Sequence, residues 1–460
     1  MLVLMTGKWI DMKKGILFSV LLVLGICITV LLNKDSENEM TITPVTDTSD
    51  QTILTFWRNY GNVAENQAFE LMIASFERAH PNIDIEMNAI QYGDYEMKLR
   101  TEIATGKPPD LMLIDSPNLA LYARIGVLHP LTDDVMEERL DKDLPPALLE
   151  GVSYQDEVYL MPLVQPGAAL YYNRHLFREA GIPFPSKNPH EPMTWNEVLE
   201  AARKITDPEK GVVGIDPAQG FPGGEAPSYF KSPIIWQFGG ELLSPDGSTA
   251  NGYLNSPESI EALTFYKDLY HRHDVAEVQL PPRAFENGKI GMTVYGSWEL
   301  SRLRETDPEF KIGEDFDIAP LPKGIEQVAP NGGWSMGISS NTQYPDEAWT
   351  FISYMTDYEA MRIYVDQTGE PPARQSIVQS FPEFLEYPEN IFLTQSQIYS
   401  KSRPVTPAYP FLSDAVKTLF EEIVIENAEV KEAADRAVSK IDSGIQEQNK
   451  YTNDIYLFPQ

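Results

Sequence analysis

Three short stretches near the start of the chain decide the fold: TILTFW at residues 52–57, the alternating IDIEM at 83–87 and the apolar LMLID at 111–115. Each has the β-branched and aliphatic composition of a strand. Between the first two, apolar residues recur every three or four positions from Phe69 to Ala79, which predicts an amphipathic helix. Strands that alternate with helices in this way are typical of an α/β fold with mostly parallel sheets.

Helix signals continue along the rest of the chain. The stretch Thr194–Glu197 has the spacing of a capping box, and Ser256–Pro257 is typical of a helix start with proline in the first turn. Gly and Pro cluster between residues 214 and 247, which we interpret as loops around the apolar residues 234–236. Periodicity predicts further helices at residues 346–355, 360–364, 411–427 and 430–446.

Length and charge narrow the class of protein. The 460 residues are enough for two compact lobes or three small domains. Lys and Arg total 36 and Asp and Glu total 68, so the formal net charge of −32 has the wrong sign for binding nucleic acid. Apolar residues make up 42%, which is too many for a disordered acidic chain. The single cysteine excludes an internal disulfide framework.

That cysteine, Cys27, lies in the one long apolar run, residues 16–32, which follows two lysines. We interpret residues 1–32 as a targeting segment. Residues 24–27 resemble a bacterial lipobox, in which the cysteine is acylated, so Cys27 is the expected lipidation site. An uncleaved membrane anchor and a simple cleaved signal remain alternatives, and all three place the bulk of the chain outside the cytoplasmic membrane. The polar residues 33–52 have the composition of a tether.

The order of several motifs resembles the extracellular solute-binding proteins (family 1, sugar-binding type) that serve ABC importers. The most specific match is FENGKIGM at residues 285–292 with Gly296-Ser-Trp298, and the resemblance covers about residues 53–447. Other matching stretches are FW at 56–57, PNIDI at 81–85, GKPPD at 106–110, GVLHPL at 126–131, VYLMP at 158–162, LYYN at 170–173, MTWNE at 193–197, NGG at 331–333, EAWTFI at 347–352 and GEPPAR at 369–374.

The resemblance implies a two-lobed fold, like that of periplasmic binding proteins, with mostly parallel sheets and hinge crossings between the lobes. Mapped onto this chain, lobe one comprises residues 53–163 plus 337–369, and lobe two comprises residues 166–330 plus 372–460. Groups of Gly and Pro near 162–167, 330–333 and 369–372 are the expected hinges. The solute is then held in the cleft between the lobes.

Residues at the ends of the first and third strands are the first candidates for the site. A sugar offers C–H faces and many hydroxyls, so its site needs aromatic rings with carboxylates and amides around them. Because ligands of open α/β sheets lie beyond the carboxyl ends of strands, we expect Trp57, Asn59, Tyr60, Asp115 and Asn118 to contact ligand. The alternatives are that the tryptophan covers the core and that the aspartate caps the next helix.

Further candidates lie at the hinges and at positions that the resemblance implies. They are Gln165, Tyr171, Trp236, Trp298, Trp334, Glu370, Arg374 and Tyr409. For the tryptophans the alternative is a place in the core. For Glu370 and Arg374 the alternative is an ion pair with each other.

Together these features predict a membrane-tethered, monomeric protein that captures a solute, a mono- or oligosaccharide, and delivers it to an ABC permease by hinge closure. We expect no catalytic residue, no metal and no cofactor, because the chain has neither a Gly-rich phosphate loop nor a Gly-x-Ser-x-Gly elbow and its histidines are scattered. A secreted glycan-active enzyme and a ligand-sensing partner of a membrane receptor kinase remain alternatives.

If Cys27 is lipidated, Cys27→Ala removes the only thiol that can be acylated. We expect the variant to lose labelling by a fatty-acid probe and to be released from membranes or to remain as an unprocessed precursor. Labelling that persists in Cys27→Ala would contradict lipidation at this cysteine, and retention on the membrane without labelling would favour the uncleaved anchor.

Overall fold

The computed structural model describes residues 51–218 and 224–455. The targeting segment with Cys27 and most of the tether therefore lie outside the described residues. The strands are β1 (Thr52–Tyr60), β2 (Ile83–Gln91), β3 (Leu111–Asp115), β4 (Ser153–Tyr154), β5 (Glu157–Val158), β6 (Met161–Pro162), β7 (Ala168–Asn173), β8 (Val213–Asp216), β9 (Ile290–Gly296), β10 (Phe316–Ala319), β11 (Ala329–Asn331), β12 (Trp334–Ile338) and β13 (Ser400–Ser402).

Helices connect most of these strands. They are α1 (Val63–Ala79), α2 (Tyr92–Ala104), α3 (Leu119–Arg124), α4 (Thr132–Glu137), α5 (Pro146–Gly151), α6 (Arg174–Glu179), α7 (Trp195–Ile205), α8 (Ala226–Gln237), α9 (Pro257–His271), α10 (Glu299–Thr306), α11 (Pro345–Met355), α12 (Tyr358–Thr368), α13 (Gln375–Val378), α14 (Glu389–Ile398), α15 (Tyr409–Val424) and α16 (Val430–Ile455). Short 3-10 turns lie at Ser116–Asn118, Leu140–Lys142 and Pro382–Leu385.

The first lobe is built on a five-stranded sheet in the order β2-β1-β3-β12-β6. Strands β1, β2 and β3 run parallel, as expected for strands that alternate with helices. Helix α1 turns Phe69, Met72 and Phe76 onto this sheet, and all three side chains are fully buried. The predicted amphipathic helix is therefore confirmed, and its apolar stripe forms one side of the first core.

The second lobe is built on a four-stranded sheet in the order β10-β7-β9-β8. Strand β7 lies between two partners and every one of its residues is buried. Its side chains alternate between two cores: Leu170 and Tyr172 belong to one cluster, and Ala169 and Tyr171 to the other. Both faces of this sheet are therefore covered, which explains why aliphatic and aromatic residues fill the strand from Ala168 to Tyr172.

The sheets are mixed rather than mostly parallel. Strand β12 is antiparallel to both β3 and β6, and β7 is antiparallel to both β10 and β9. Parallel neighbours need a crossover connection that returns the chain to the same end of the sheet. Strands β6, β7 and β12 instead adjoin the passages between the lobes, without a helical crossover, and each pairs antiparallel with its neighbours.

The chain passes between the two cores three times within the described residues, near 163–167, at 332–333 and between 385 and 390. Residues 369–372 do not carry a passage to the second core. They run beside the first passage, where the backbone amide of Gln165 donates to the Pro371 carbonyl at 2.9 Å. The predicted second lobe resumes at residue 372, whereas Ala373 to Phe384 pack with the first core. In other respects the proposed lobe boundaries stay a prediction.

Two predicted helix starts are confirmed by the hydrogen bonds that cap the helices. Thr194 and Glu197 form the reciprocal capping box before α7, with the Thr194 amide donating to the Glu197 carboxylate at 2.7 Å. Ser256 caps α9, and Pro257 lies in its first turn.

The region 214–247 differs from the prediction, because it contains the helix α8 where loops around residues 234–236 were expected. Among the described residues, no helix is long and apolar enough to cross a membrane.

Candidate ligand-binding site

Strand ends of the first lobe form one wall of a cavity. Strand β1 continues to Tyr60, so Asn59 and Tyr60 lie at its carboxyl end, and Asp115 lies at the end of β3. Trp334 is the register partner of Asp115 on the antiparallel neighbour β12. The ring of Trp334 is held by edge-to-face contacts with Tyr92 and Tyr95, with centroids 6.1 and 5.7 Å away.

The second lobe supplies an aromatic wall around Trp298, which lies two residues beyond the end of β9. Its ring lies near Tyr229 and Phe230 of α8, with centroid distances of 6.0 and 5.9 Å. The ring also folds back over Gly296, where a Cβ atom would stand 2.3 Å from the ring carbon Cη2. Glycine is therefore required there, since any side chain would displace the tryptophan from the cavity.

The cavity between these walls has a volume of about 400 Å³, within the range of small-molecule sites. Both lobes and the passages between them contribute to its lining. The polar and aromatic lining residues are Asn59, Tyr60, Asn62, Glu65, Phe69, Tyr92, Asp115, Glu225, Tyr229, Phe230, Trp298, Trp334, Tyr364, Glu370 and Arg403.

An ion pair between Asp115 and Arg403 joins the two walls. The guanidinium donates to both carboxylate oxygens, at 2.7 and 3.4 Å, and both side chains are buried. Its Nη1 also lies 3.6 Å from Glu225 and donates to the Tyr409 hydroxyl at 3.2 Å. Burial raises the pKa of Asp115, and Arg403 works against that rise. Burial alone would lower the pKa of Arg403, but Asp115, Tyr409 and Glu225 together outweigh burial and hold that pKa above its ordinary value.

Two further contacts cross the cleft. The Asn62 amide donates to the Ser301 hydroxyl at 3.2 Å, which ties the start of α1 to α10. The Tyr92 hydroxyl accepts from the backbone amides of Glu225 and Ala226, each at 3.0 Å. Because residues of both lobes bond directly to one another, the structure represents a closed arrangement of the cleft.

Two carboxylates on the passage side of the cavity are desolvated. Glu370 accepts from Ser297 Oγ at 2.7 Å and from the Tyr364 hydroxyl at 3.3 Å, and burial raises its pKa. Glu65 lies in the first turn of α1, and burial raises its pKa to about 7, against an opposing effect of Arg58. Glu370 raises the pKa of Glu65 further, and both side chains line the same cavity.

Six of the predicted contact residues line this cavity. They are Asn59, Tyr60, Asp115, Trp298, Trp334 and Glu370. The structure brings them together from strands and passages that are as far apart as residues 59 and 370 in the sequence. Their contacts with a ligand stay a prediction.

Three predicted aromatic residues lie in cores and do not line the cavity. Trp57 packs against the first core, because β1 runs on for three residues beyond it and carries the edge of the sheet past its ring. Tyr171 is fully buried within β7, and its hydroxyl donates to the Gly296 carbonyl at 2.8 Å. Trp236 is buried in the second core.

Four predicted polar residues are engaged elsewhere. Asn118 accepts from Arg100 at 3.2 Å, and the Gln165 side chain donates to the Ser396 carbonyl at 3.3 Å. Arg374 pairs with Asp143, at 2.9 Å, and does not pair with Glu370. Tyr409 is buried behind the cavity wall, where its hydroxyl belongs to the network around Arg403.

Sequence reasoning missed several lining residues. Tyr92 directly follows β2, so the strand-end rule that selected Asp115 would have found it had it been applied to the second strand. Glu65 and Tyr364 lie on helices, and Glu225 and Arg403 lie in irregular stretches, where no local pattern marks them. Across residues 51–218 and 224–455, no group of three or more His, Cys, Asp or Glu side chains is placed to hold a metal ion.

Comparison with known proteins agrees with this architecture. A family model of bacterial extracellular solute-binding proteins matches residues 60–362. The chain belongs to this family. A maltotriose-binding protein of Pyrococcus abyssi is 24% identical over 369 residues, covering 78% of this chain and 75% of that protein. A multiple sugar-binding protein of Streptococcus mutans is 25% identical over 334 residues, covering 66% and 72%.

Solved structures match over nearly the whole described chain. A solute-binding protein of an ABC transporter from Thermotoga lettingae, bound with α-D-tagatose, is 25% identical with a TM-score of 0.75, and 86% of this chain covers 100% of that one. A substrate-binding protein from Listeria monocytogenes in complex with cycloalternan is 25% identical with a TM-score of 0.74, at the same coverage. The two-lobed fold expected from the sequence is thereby confirmed.

The raised pKa of Glu65 makes stability depend on pH. The folded protein holds a proton on this carboxyl up to about pH 7, whereas the unfolded chain releases it near the ordinary value of 4.5. The stabilising contribution is therefore complete below pH 4.5 and is lost as the pH rises to 7. We expect the Tm of the wild type to fall relative to that of Glu65→Gln between pH 5 and pH 8, as measured by differential scanning fluorimetry.

The matched control is Glu70→Gln, which alters an exposed carboxylate on the same helix. A Tm difference between wild type and Glu65→Gln that stays constant from pH 5 to pH 8 would show that this carboxyl titrates alike in the folded and unfolded protein.

Proposed function

We propose that this protein captures a carbohydrate outside the cell and delivers it to the permease of an ABC importer by closing its two lobes. The observation that carries the proposal is the cavity of about 400 Å³ between the lobes, which combines aromatic rings with carboxylates, two amides and a guanidinium. The tryptophans offer flat faces for the C–H surfaces of a sugar ring, and the polar groups offer partners for its hydroxyls.

The relatives support the same class of solute. Maltotriose and multiple sugars appear in the names of two of them, and tagatose and cycloalternan are bound in two of the similar structures. The relatives therefore support carbohydrate as the class of solute. They do not specify which sugar this protein binds, because the lining residues are those of this chain.

Closure follows from the way the cavity is divided between the lobes. Trp298 and Arg403 come from the second lobe, while Asp115 and Trp334 come from the first. A solute that touches both walls gains all of its contacts only in the closed form. Its differential affinity for that form therefore shifts the equilibrium towards closure, which is the state that the permease would receive.

The proposal also covers how the protein is attached to the membrane, its oligomeric state and whether it alters its ligand. We infer that the protein is a monomer held at the outer face of the membrane by its N-terminal segment, through Cys27 or an uncleaved anchor. We also infer that binding is not followed by turnover, because the family comprises solute-binding proteins.

A thermal-shift screen of the purified protein against monosaccharides, oligosaccharides and polyols tests the proposed function. A ligand at 100 times its Kd adds about 2.7 kcal/mol to the free energy of unfolding, which corresponds to a rise of several degrees in Tm. We expect at least one carbohydrate to raise the Tm by that amount without being consumed. A panel in which only non-carbohydrate solutes raise the Tm would overturn the assignment of carbohydrate.

Trp298 should carry a large share of the affinity for that carbohydrate. We expect Trp298→Leu to weaken binding at least tenfold, about 1.4 kcal/mol, because it removes the ring that faces the cavity from the second lobe. Isothermal titration of the sugar from the screen measures the change. Trp57→Leu is the matched control, since Trp57 packs against the first core, and it should bind as the wild type does. Equal affinities for wild type and Trp298→Leu would assign Trp298 to the core.

A further inference from the structure

The charges that line the cavity do not balance. Four carboxylates contribute to the lining, Glu65, Asp115, Glu225 and Glu370, against the single guanidinium of Arg403. Arg403 is already engaged, since it bonds to Asp115 at 2.7 Å and lies 3.6 Å from Glu225. Glu65 and Glu370 therefore face the cavity without a cation among the lining residues.

Arg58 is a cation that acts on Glu65 from behind the wall, and it is engaged in other contacts. It is fully buried, donates to the Asn59 carbonyl at 2.6 Å and to the Asn66 side chain, and stacks over the Phe69 ring at 4.2 Å. Its positive charge opposes the rise in the pKa of Glu65. Within the described part of the chain, however, Arg58 makes no ion pair with that carboxylate.

The groups around Glu65 are mainly hydrogen-bond acceptors. The Glu65 carboxylate receives no hydrogen bond from the residues that the structure describes, and its side chain lies across Gly61. Asn59 lines the same cavity, is 3% exposed, and has its Oδ1 buried without a partner. The nearby Tyr364 hydroxyl already donates to Glu370. A ligand group that fills this end must therefore bring several donors.

An ammonium group meets that requirement better than a hydroxyl does. It carries three donors and no acceptor, whereas a hydroxyl donates only once. It also supplies the positive charge that a desolvated carboxylate needs, and Phe69 and Tyr364 place aromatic rings in the same part of the cavity. A neutral sugar would leave Glu65 either charged and unpaired or protonated.

We propose that the carbohydrate taken by this cavity is an aminated one, whose ammonium group binds between Glu65 and Glu370 at the end of the cavity formed by α1 and residue 370. This inference rests on the proposed function, since it specifies the class of sugar within it. Trp298 and Trp334 then receive the sugar ring, and the Asp115–Arg403 pair meets its hydroxyls.

Matched pairs of ligands that differ by one amino group test this inference. The pairs are glucose and glucosamine, cellobiose and its fully aminated chitosan disaccharide, and sorbitol and glucamine, titrated calorimetrically at pH 7. We expect the aminated member of at least one pair to bind the wild type at least tenfold more tightly than its neutral counterpart. In Glu65→Gln the ratio should fall to threefold or less, whereas Glu70→Gln, outside the cavity, should keep it.

Each other outcome has a defined meaning. Neutral members that bind as tightly as aminated ones, or a ratio that Glu65→Gln leaves unchanged, would overturn the inference while the proposed function stands. If no sugar of any pair binds but choline, a cation without a sugar ring, does, both the inference and the carbohydrate assignment fall. If no probe binds at all, the inference is rejected, and the thermal-shift screen decides the carbohydrate assignment. The ratio in the wild type decides the matter if Glu65→Gln does not fold.

Discussion

The buried ion pair between Asp115 and Arg403 is the contact on which the closed structure depends. It takes one charge from the end of a first-lobe strand and the other from the second lobe, and it removes both from water. Such a pair adds little net stability compared with apolar residues of the same size, but leaving one partner alone costs about 3–5 kcal/mol. The two lobes are therefore coupled, because separating them leaves two charges that must be hydrated again.

The consequences of that pair reach the rest of the cavity. Arg403 also holds Tyr409 and approaches Glu225, so the wall behind the ligand is set by the same guanidinium. With Arg403 engaged in this way, the carboxyl groups of Glu65 and Glu370 have no cation beside them among the lining residues. One ion pair thus contributes both to the closed geometry and to the polarity that a ligand encounters.

Much of the fold could be predicted from the sequence because its signals are local. The strand and helix units around residues 52–115, the capping box at Thr194 and the start of α9 depend on neighbouring residues, and the structure has them where expected. Helix α8 was not predicted, because it is buried on nearly all sides and contains Pro233, so it lacks an amphipathic stripe. The antiparallel direction of β6, β7 and β12 was not predicted. These strands adjoin the passages between the lobes, and no local sequence pattern indicates where the chain crosses from one lobe to the other.

The site was predicted in part for the same reason. Asn59, Tyr60 and Asp115 follow from the position of strand ends, whereas Trp57 was placed at an edge that lies three residues further on. A tryptophan has the same local signature in a core and in a cleft, so Trp236 and Trp298 could not be separated by sequence alone. Arg403 meets Asp115 across 288 residues of chain, and only the tertiary fold brings them together.

The three passages between the lobes make the molecule a closed mechanical linkage. Neighbouring passages constrain one another: at Gly333, a Cβ atom would stand 2.8 Å from the Pro166 ring carbon Cγ. Short connections that lie side by side in this way can act as a hinge between two lobes. Cutting one passage with a protease leaves the lobes joined by the remaining two, so the nicked protein stays in one piece. The motion expected of the two lobes is therefore bending at these passages. A solute has only to stabilise the closed form over the open form.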